Sequence, residues 1–402
     1  MLICLLIKVF YLVIMYDFIL FETFYGNHYK DMLMIAELLK DSGYNVAIAG
    51  LYHESVVKQD GRFPLLTVKA KCRAKLTSSR SKISIVRVLC NIWNRFQVDL
   101  YLCKVIKELI PQSNNFYAGT MYLGLPLFWL WRLPNNKKIF FWGLRSYFLT
   151  LHKTNLKSVE GCSSWVLDRF FRKRPNICLF VSETIIKKEF EQLGFSSDRL
   201  ILRPERTIKE ISINKPNRND NKTQILVIGS LRYQKRIDLI LDVFEKIEDE
   251  YLELVIGGKA KTDNGFDVWL NERANNVKGV RRVDVRYTDE EFGQQINECD
   301  YLLLCDMKQA SCVSNGTMND ALLRGKPIIA PDYNPYKYYV EKYNVGILYD
   351  LGKPESIENA LLKARDTKAS TFEDGIISYQ EDLLYSKVQK RFCEDLAGSI
   401  DK

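Results

Sequence analysis

A chain of 402 residues has room for two or three domains at ~150 residues each, and 47% hydrophobic against 27% charged residues is the balance of a chain that folds around a core. Gly 21 and Pro 11 are too few for a fibrous or low-complexity chain, so those classes are excluded. The formal net charge of +9 is uneven: residues 1–210 carry 31 Lys and Arg against 17 Asp and Glu, a net of +14, and residues 211–402 carry 27 against 32, a net of −5.

The apolar opening, Met1 to Leu20, is interrupted by Lys8 and carries Asp17 near its end, and no small-residue cleavage site follows. Its run KVFYLVI, Lys8 to Ile14, is of strand length and rich in β-branched and aromatic residues, so a first strand is expected there rather than a membrane anchor. A loop with Gly26 follows, then a helix from Lys30 to Lys40 stopped by Asp41-Ser42-Gly43, then a strand over Tyr44 to Ala49. Further expected elements are a helix over Leu100 to Leu109, a strand at Asn115 to Ala118, a helix at Leu123 to Leu133, and strands at Lys138 to Trp142 and Ile177 to Val181. Between Arg203 and Thr223 the sequence turns polar, with Pro204, Pro216 and Asn217-Arg218-Asn219-Asp220-Asn221, which marks a domain boundary.

The alternation then restarts: strand Gln224 to Ile228, helix Ile237 to Ile247, strand Leu252 to Ile256, helix Phe266 to Ala274, strand Val280 to Val285. A helix at Asp289 to Asn297, strand Tyr301 to Leu304, helix Met318 to Leu323 and strand Pro327 to Ala330 follow. Alternating strand and helix in both halves predicts two doubly wound parallel sheets, with ligand loops at the carboxyl ends of the strands and a ligand cleft between the domains. No helical stretch reaches ~20 uninterrupted apolar residues, so a cytoplasmic protein is expected.

Ten cysteines without a C-x-x-C pair read as reduced core thiols, and three histidines without H-E-x-x-H spacing leave little for a metal site. Neither a Walker loop nor G-x-G-x-x-G is present, which weakens the P-loop NTPase and dinucleotide dehydrogenase readings. Three segments carry candidate chemistry. Gly229-Ser230-Leu231-Arg232-Tyr233-Gln234-Lys235 joins an apolar strand to a helix and holds two cations at the turn, which suits a phosphate; a solvated basic turn is the plain alternative. Ser314-Asn315-Gly316-Thr317 is a small, flexible turn before a helix, where a diphosphate can approach the backbone. The same residues fit a capping box of Thr317 and Asp320 that merely satisfies the helix start. Third, the loop after the first strand, with Glu22, Tyr25, Gly26, Asn27 and His28, points towards the expected cleft, where Glu22 or His28 would meet sugar hydroxyls. Between Asp60 and Asp99, Arg62, Lys69, Lys71, Arg73, Lys75, Arg80, Lys82, Arg87 and Arg95 occur with no acid, interleaved with apolar residues such as Leu89 and Trp93, the pattern of a surface lying on anionic lipid.

The second half resembles the GT-B glycosyltransferases, specifically the retaining family-4 type (glycosyl transferases group 1). ILVIGSLRYQKRIDLILDVFEKI, LELVIGG, INECDYLLL, NGTMNDALLRGKPIIAPD and NVGILYD carry the resemblance, in that order. The first half is similar more loosely, through KVFYLVI followed by AELLKDSGYNVAIAG, KKIFFWGLRSYF and ICLFVSETIIKKEFEQLGF. The resemblance implies an α/β GT-B fold of two Rossmann-like domains: an acceptor domain over residues 1–205, a linker over 206–222, a nucleotide-sugar domain over 223–380, and a C-terminal helix, 381–402, crossing back to the first domain. It places Lys235 on the donor diphosphate with Gly229, Ser230, Arg232, Ser314, Asn315, Gly316 and Thr317, Asp320 at the ribose and Tyr287 at the base. The family's paired acids fall on Cys312 and Asp320, so the first acid is lost, and Ser146 stands where WGLRSY lacks another. No catalytic base is therefore named. In such enzymes the departing diphosphate helps deprotonate the acceptor, so the protein chiefly positions groups and stabilises leaving charge.

The function implied is transfer of a sugar from a nucleotide diphosphate sugar to a saccharide or lipid-linked acceptor in surface polysaccharide assembly, with no cofactor, no metal and no nucleic acid partner. The enzyme is placed at the inner face of the cell membrane as a peripheral protein. Two rivals remain: a non-catalytic GT-B protein that binds a nucleotide sugar or partner, and a basic membrane or nucleic-acid binding module without a ligand cleft.

Overall fold

The computed structural model of the chain describes residues 15–21, 28–50, 61–69, 84–119, 137–143, 174–192, 194–204, 206–216, 221–262, 265–308 and 315–400. These divide into two compact units, one running to Arg203 and including the chain from Gln389 onward, the other Pro204–Val388.

In the first unit, β1 (Tyr16–Phe21), α1 (His28–Asp41), β2 (Val46–Gly50), β3 (Leu65–Thr67), α2 (Ser84–Leu109), β4 (Ser113–Ala118), β5 (Lys138–Gly143), β6 (Ile177–Val181), α3 (Thr184–Gln192) and β7 (Leu200–Leu202) build a seven-stranded sheet of order β3-β2-β1-β4-β5-β6-β7. Every strand pair in it is parallel. The strand expected over Lys8 to Ile14 lies outside the described residues, and the first described strand is Tyr16–Phe21. Asp17 is its second residue. It stands exposed at the strand start, where its carboxylate accepts the Asn45 N–H at 2.7 Å, and Phe18, Ile19, Leu20 and Phe21 after it are fully buried. The acid thus opens the strand instead of ending an apolar segment. The expected helix at 123–133 lies outside the described residues.

Helix α2 is also longer than its periodic core predicts. Val98, Tyr101, Leu102, Val105, Ile106 and Leu109 are buried at the 3, 4, 7, 8 and 11 spacing of one helix face. Leu89 and Trp93 upstream of them, and Leu100 between them, are 61%, 59% and 37% exposed, and Phe96 stacks on Trp93 with ring centroids 5.4 Å apart. The sheet core is aromatic. Phe180 stacks on Phe140 at 5.3 Å and touches Tyr117 at 5.6 Å, and Phe392 closes on its other side at 5.6 Å, contacts that add to the burial of large apolar surface.

The second unit runs β8 (Thr223–Ile228), α4 (Ile237–Ile247), β9 (Leu252–Gly257), α5 (Phe266–Asn275), β10 (Val280–Val283), α6 (Asp289–Glu298), β11 (Tyr301–Leu303), α7 (Gly316–Leu322), β12 (Ile328–Pro331), α8 (Tyr336–Tyr343), β13 (Gly346–Tyr349), α9 (Pro354–Asp366) and α10 (Glu373–Glu381). Its six strands pair in parallel in the order β10-β9-β8-β11-β12-β13. The winding reverses between β8 and β11, and a crevice opens outside the carboxyl ends of strands at such a reversal. Helix α4 forms because Ile237, Ile240, Leu241 and Phe244 recur on one face, and all four are buried.

The C-terminal segment holds two helices with a break between them, α10 and α11 (Tyr385–Ile400). The break has a cause, since Leu384 pairs with Ile208, whose N–H donates to Leu383 O at 3.0 Å and whose carbonyl accepts the Tyr385 N–H at 2.8 Å. In the first unit α11 is held through Asp395, which accepts from Lys187 Nζ at 3.0 Å and from the Leu202 N–H at 2.9 Å. No helix among the described residues is long and apolar enough to cross a membrane.

Candidate functional site

The loops after β8, β9 and β11 and the start of α7 meet at the winding reversal of the second sheet. Gly229, directly after β8, has φ +114°, and a Cβ there would sit 3.7 Å from Thr317 Oγ1. Gly258, after β9, has φ +118°, and a Cβ there would drive into Gly229 O. Gly229 needs glycine for its positive φ, and Gly258 for both its φ and the close backbone approach. The turn is held on each side: Gly229 N–H donates to Gly257 O at 3.3 Å and Gly258 N–H to Val283 O at 3.0 Å. Arg282 completes the clamp, donating to Gly258 O at 2.8 Å, to Ile256 O at 2.9 Å and to Asp284 at 2.8 Å.

Lys235 ends a single turn of 3-10 helix over Tyr233–Lys235. It is 7% exposed, with Nζ 3.6 Å from Asp306 Oδ2. Asp306 follows β11, so this ion pair spans the winding reversal. Asn315 Nδ2 lies 3.4 Å from the same carboxylate and donates to Tyr336 Oη at 2.7 Å, and Tyr333 Oη donates to Asp306 O. Burial, with Asp306 adjacent, pushes the Tyr336 phenol well above its ordinary range. Burial likewise holds the Cys305 thiol up at about 12, against the pull of Lys235, so it stays protonated at neutral pH.

The helix start differs from the expected capping box. Asn315 is the N-cap: its Oδ1 accepts the Met318 N–H at 3.0 Å, and α7 begins at Gly316. An Asn one residue before the first helical turn offers its side-chain oxygen at the right reach, which places Thr317 inside the helix with its hydroxyl towards Gly229. Asp320 is not a capping partner either. It sits 3.8 Å from Arg206 Nε, and burial raises its carboxyl while Arg206 and Arg324 oppose the rise.

The sequence-derived residues therefore sort by position. Gly229, Thr317, Lys235 and Asn315 are brought together, with Gly316 beginning α7 beside them; Ser230 is exposed on the same turn. Arg232 is separated from Lys235. Its side chain lies among Lys261, Phe266 and Trp269 on the β9 side of the turn, whereas Lys235 reaches to the β11 side. Tyr287 packs its hydroxyl towards Gly257, where a Cβ would come within 2.8 Å, and burial raises its phenol while Arg282 and Arg281 oppose. Glu22, Tyr25, Gly26, Asn27, Ser146, Cys312, Ser314, Lys71, Arg73, Lys75, Arg80 and Lys82 lie outside the described residues, as do the side chains of His28 and Arg87. Lys69 is exposed, and its N–H donates to Glu108 Oε1 at 2.7 Å. Asp306, Gly258 and Arg282 were missed in sequence, although an acid two residues past the apolar strand Tyr301 to Leu304 is a signal that could have found the first. Among the described residues no three His, Cys, Asp or Glu side chains cluster for a metal ion.

Known proteins agree with this architecture. The family described as glycosyl transferases group 1 matches residues 208–371. The UDP-N-acetylglucosamine--N-acetylmuramyl-(pentapeptide) pyrophosphoryl-undecaprenol N-acetylglucosamine transferase of Sulfurihydrogenibium sp. (strain YO3AOP1) is 24% identical over 369 residues, covering 89% of this chain and 88% of that one. Among solved structures, the lipopolysaccharide outer core galactosyltransferase WaaB in its apo form superposes with a TM-score of 0.61 at 15% identity, over 94% of this chain and 99% of that one. Anabaena Alr3699/HepE in complex with UDP-glucose superposes with a TM-score of 0.62 at 12% identity, over 94% and 99%. Residues 208–371 thus belong to the glycosyl transferases group 1 family, and the chain is a glycosyltransferase of the two-domain GT-B fold.

Proposed function

We propose that the second unit holds a nucleoside diphosphate sugar, with the diphosphate on the Gly229 turn between Thr317 and Lys235, and that the enzyme passes the sugar to a saccharide or lipid-linked acceptor in surface polysaccharide assembly. The observation that carries the reading is the convergence at the β8/β11 reversal: two glycines at positive φ bring backbone close to Thr317, with a buried cation beside them. Preorganised amides, a hydroxyl and an ammonium suit charge that builds on a departing diphosphate. HepE binds UDP and UDP-glucose, and the Sulfurihydrogenibium relative acts on a pyrophosphoryl-undecaprenol acceptor; both favour a uridine donor and a membrane-linked acceptor here. The proposal includes a metal-independent, retaining reaction, in which Lys235 and backbone amides of the turn meet the diphosphate charge.

The reaction is placed at the inner face of the cell membrane, with the enzyme cytoplasmic and peripheral. Leu89, Trp93, Phe96 and Leu100 recur at spacings of 4, 3 and 4 along α2, one helical stripe, and three of them are strongly exposed. An apolar stripe with aromatic members in a basic segment suits an anionic lipid surface.

The test is thermal unfolding of the full chain against UDP, GDP, CDP, dTDP and their sugars, with and without EDTA. A ligand that binds only the folded state at 100 times its Kd stabilises by about 2.7 kcal/mol, a rise of roughly 5–10 °C for a unit of this size. A selective, EDTA-insensitive rise that is lost in Lys235→Ala is expected; no rise with any nucleotide refutes the donor site.

A further inference from the structure

On the other side of the Gly229 turn lies a hollow of about 1000 Å³, at the upper end of the range of small-molecule sites. Two loops form its floor. Leu231 pairs with Ala260, and the Lys261 N–H donates to Leu231 O at 3.0 Å, so the loops after β8 and β9 are tied side by side over buried Leu231 and Ala260. Its wall is aromatic. Phe266 is buried and links two exposed rings, stacking on Trp269 at 5.7 Å and meeting Tyr233 edge-on at 6.4 Å. Tyr233 and Trp269 are 64% and 38% exposed, and the packed Phe266 between them fixes their orientation without a ligand.

Among the described residues that line the hollow, the two charged ones are both cations. Arg232 and Lys261 stand exposed on it, and neither side chain has a hydrogen-bond or ion-pair partner among the described residues. Several other cations of the unit are matched: Arg236 holds Asp238, Lys259 and Arg282 hold Asp284, Arg273 holds Asp242 and Glu245, and Arg281 holds Glu253. This unit lies in the acidic half of the chain, yet two cations without a partner among the described residues stand together beside an open aromatic face.

Flat aromatic faces pack against the apolar C–H faces of pyranose rings, and unpaired cations attract carboxylate or phosphate groups carried by such rings. We propose that this hollow is a subsite for an anionic saccharide, in which Tyr233 and Trp269 stack on sugar rings and Arg232 and Lys261 hold an acidic substituent. The hollow opens at the same carboxyl edge of the sheet as the Gly229 turn, one strand along, where the distal part of an acidic glycan acceptor would lie during transfer. The inference deepens the glycosyl-transfer reading and rests on it for that role, while the binding itself is independent of the donor site.

Calorimetric titration of the full chain with tetragalacturonate and with neutral maltotetraose, at low salt, tests the subsite. The acidic tetrasaccharide is expected to bind at least about tenfold tighter than the neutral one, and Trp269→Ala and Lys261→Ala are each expected to weaken it by about tenfold. UDP-dependent thermal stabilisation is to be measured on the same variants and should not change. If UDP fails to stabilise the wild type while the glycan pattern holds, the donor reading falls and the subsite stands. Equal binding of the two tetrasaccharides, binding indifferent to both substitutions, or no binding at millimolar glycan overturns the proposal. Loss of UDP stabilisation in Trp269→Ala also overturns it, because the hollow would then be a nucleoside site.

Discussion

Replacing Gly258 with alanine tests whether the site rests on close backbone approach. At φ +118° an L residue occupies a region it rarely adopts, which costs about 1–3 kcal/mol. The added Cβ would also drive into Gly229 O, with Gly229 C at 3.2 Å and Gly229 N at 3.4 Å. These are backbone atoms, Gly229 being held by its N–H bond to Gly257 O and Gly258 by its own to Val283 O, so the neighbour cannot swing aside as a flexible side chain would, and overpacking of this kind costs about 1–3 kcal/mol more. A loss of about 4 kcal/mol corresponds to a fall of roughly 8–16 °C in the unfolding midpoint of a unit of this size. Gly265→Ala is the matched control. Its φ is also positive, at +73°, but nothing lies within 4 Å of its Cβ, so only strain of about 1 kcal/mol and a fall of roughly 2–4 °C are expected. Calorimetry of both variants separates strain from collision. Equal midpoints would refute the idea that Gly229 and Gly258 are pressed together, and with it the geometry assigned to the diphosphate.

Lys235→Met should remove nucleotide-dependent stabilisation and also lower the midpoint without ligand, because Asp306 loses its cation; adding Asp306→Asn should restore the midpoint without restoring nucleotide binding, both read by thermal unfolding. For Asp382, burial would raise the carboxyl, but hydrogen bonds from Lys387 and Tyr343, with Lys342 near, outweigh it and hold it at about 2. Its contribution to stability is therefore complete above the ordinary carboxylate range of about 4 and is lost as pH falls from there towards about 2; the midpoint gap between wild type and Asp382→Asn should close across that window. Trp93→Glu should leave the midpoint within about 1 °C, since an exposed surface change costs little, yet reduce cosedimentation with anionic vesicles several-fold. Phe392→Ala removes a ring from the Phe180 stack and should cost the first unit about 3–5 kcal/mol, read as a selective loss of its unfolding transition.

Periodicity alone located Ile237–Ile247 to the residue, because its apolar face is unbroken and a polar turn bounds it on each side. The three-residue strands β3 and β7 were not legible, since each lies at a sheet edge and is defined by its neighbour rather than by any pattern of its own. In the site, Gly229 and Lys235 could be read from a strand-turn-helix segment. Asp306 was harder: an acid after an apolar strand is visible in sequence, but its pairing with Lys235 comes from β11 lying beside β8, a strand order that no local segment encodes. The cap at Asn315 was misread because Ser314, Asn315 and Thr317 are all competent caps, and only the position of the first helical turn chooses among them.

The contact of Phe392 with Phe180 also bears on the order of events during synthesis. A ribosome makes every residue of the second unit before it makes Gln389 onward, the segment that completes the first. The seven-stranded sheet therefore emerges with one side of the Phe180 ring uncovered, and it waits in that state while 185 further residues are added, Pro204–Val388. The segment from Gln389 onward acts as a closing step: the N-terminal sheet gains this aromatic layer only after the second unit has been made, so a chain cut short before Phe392 would carry a second unit of full length beside an incompletely packed first unit.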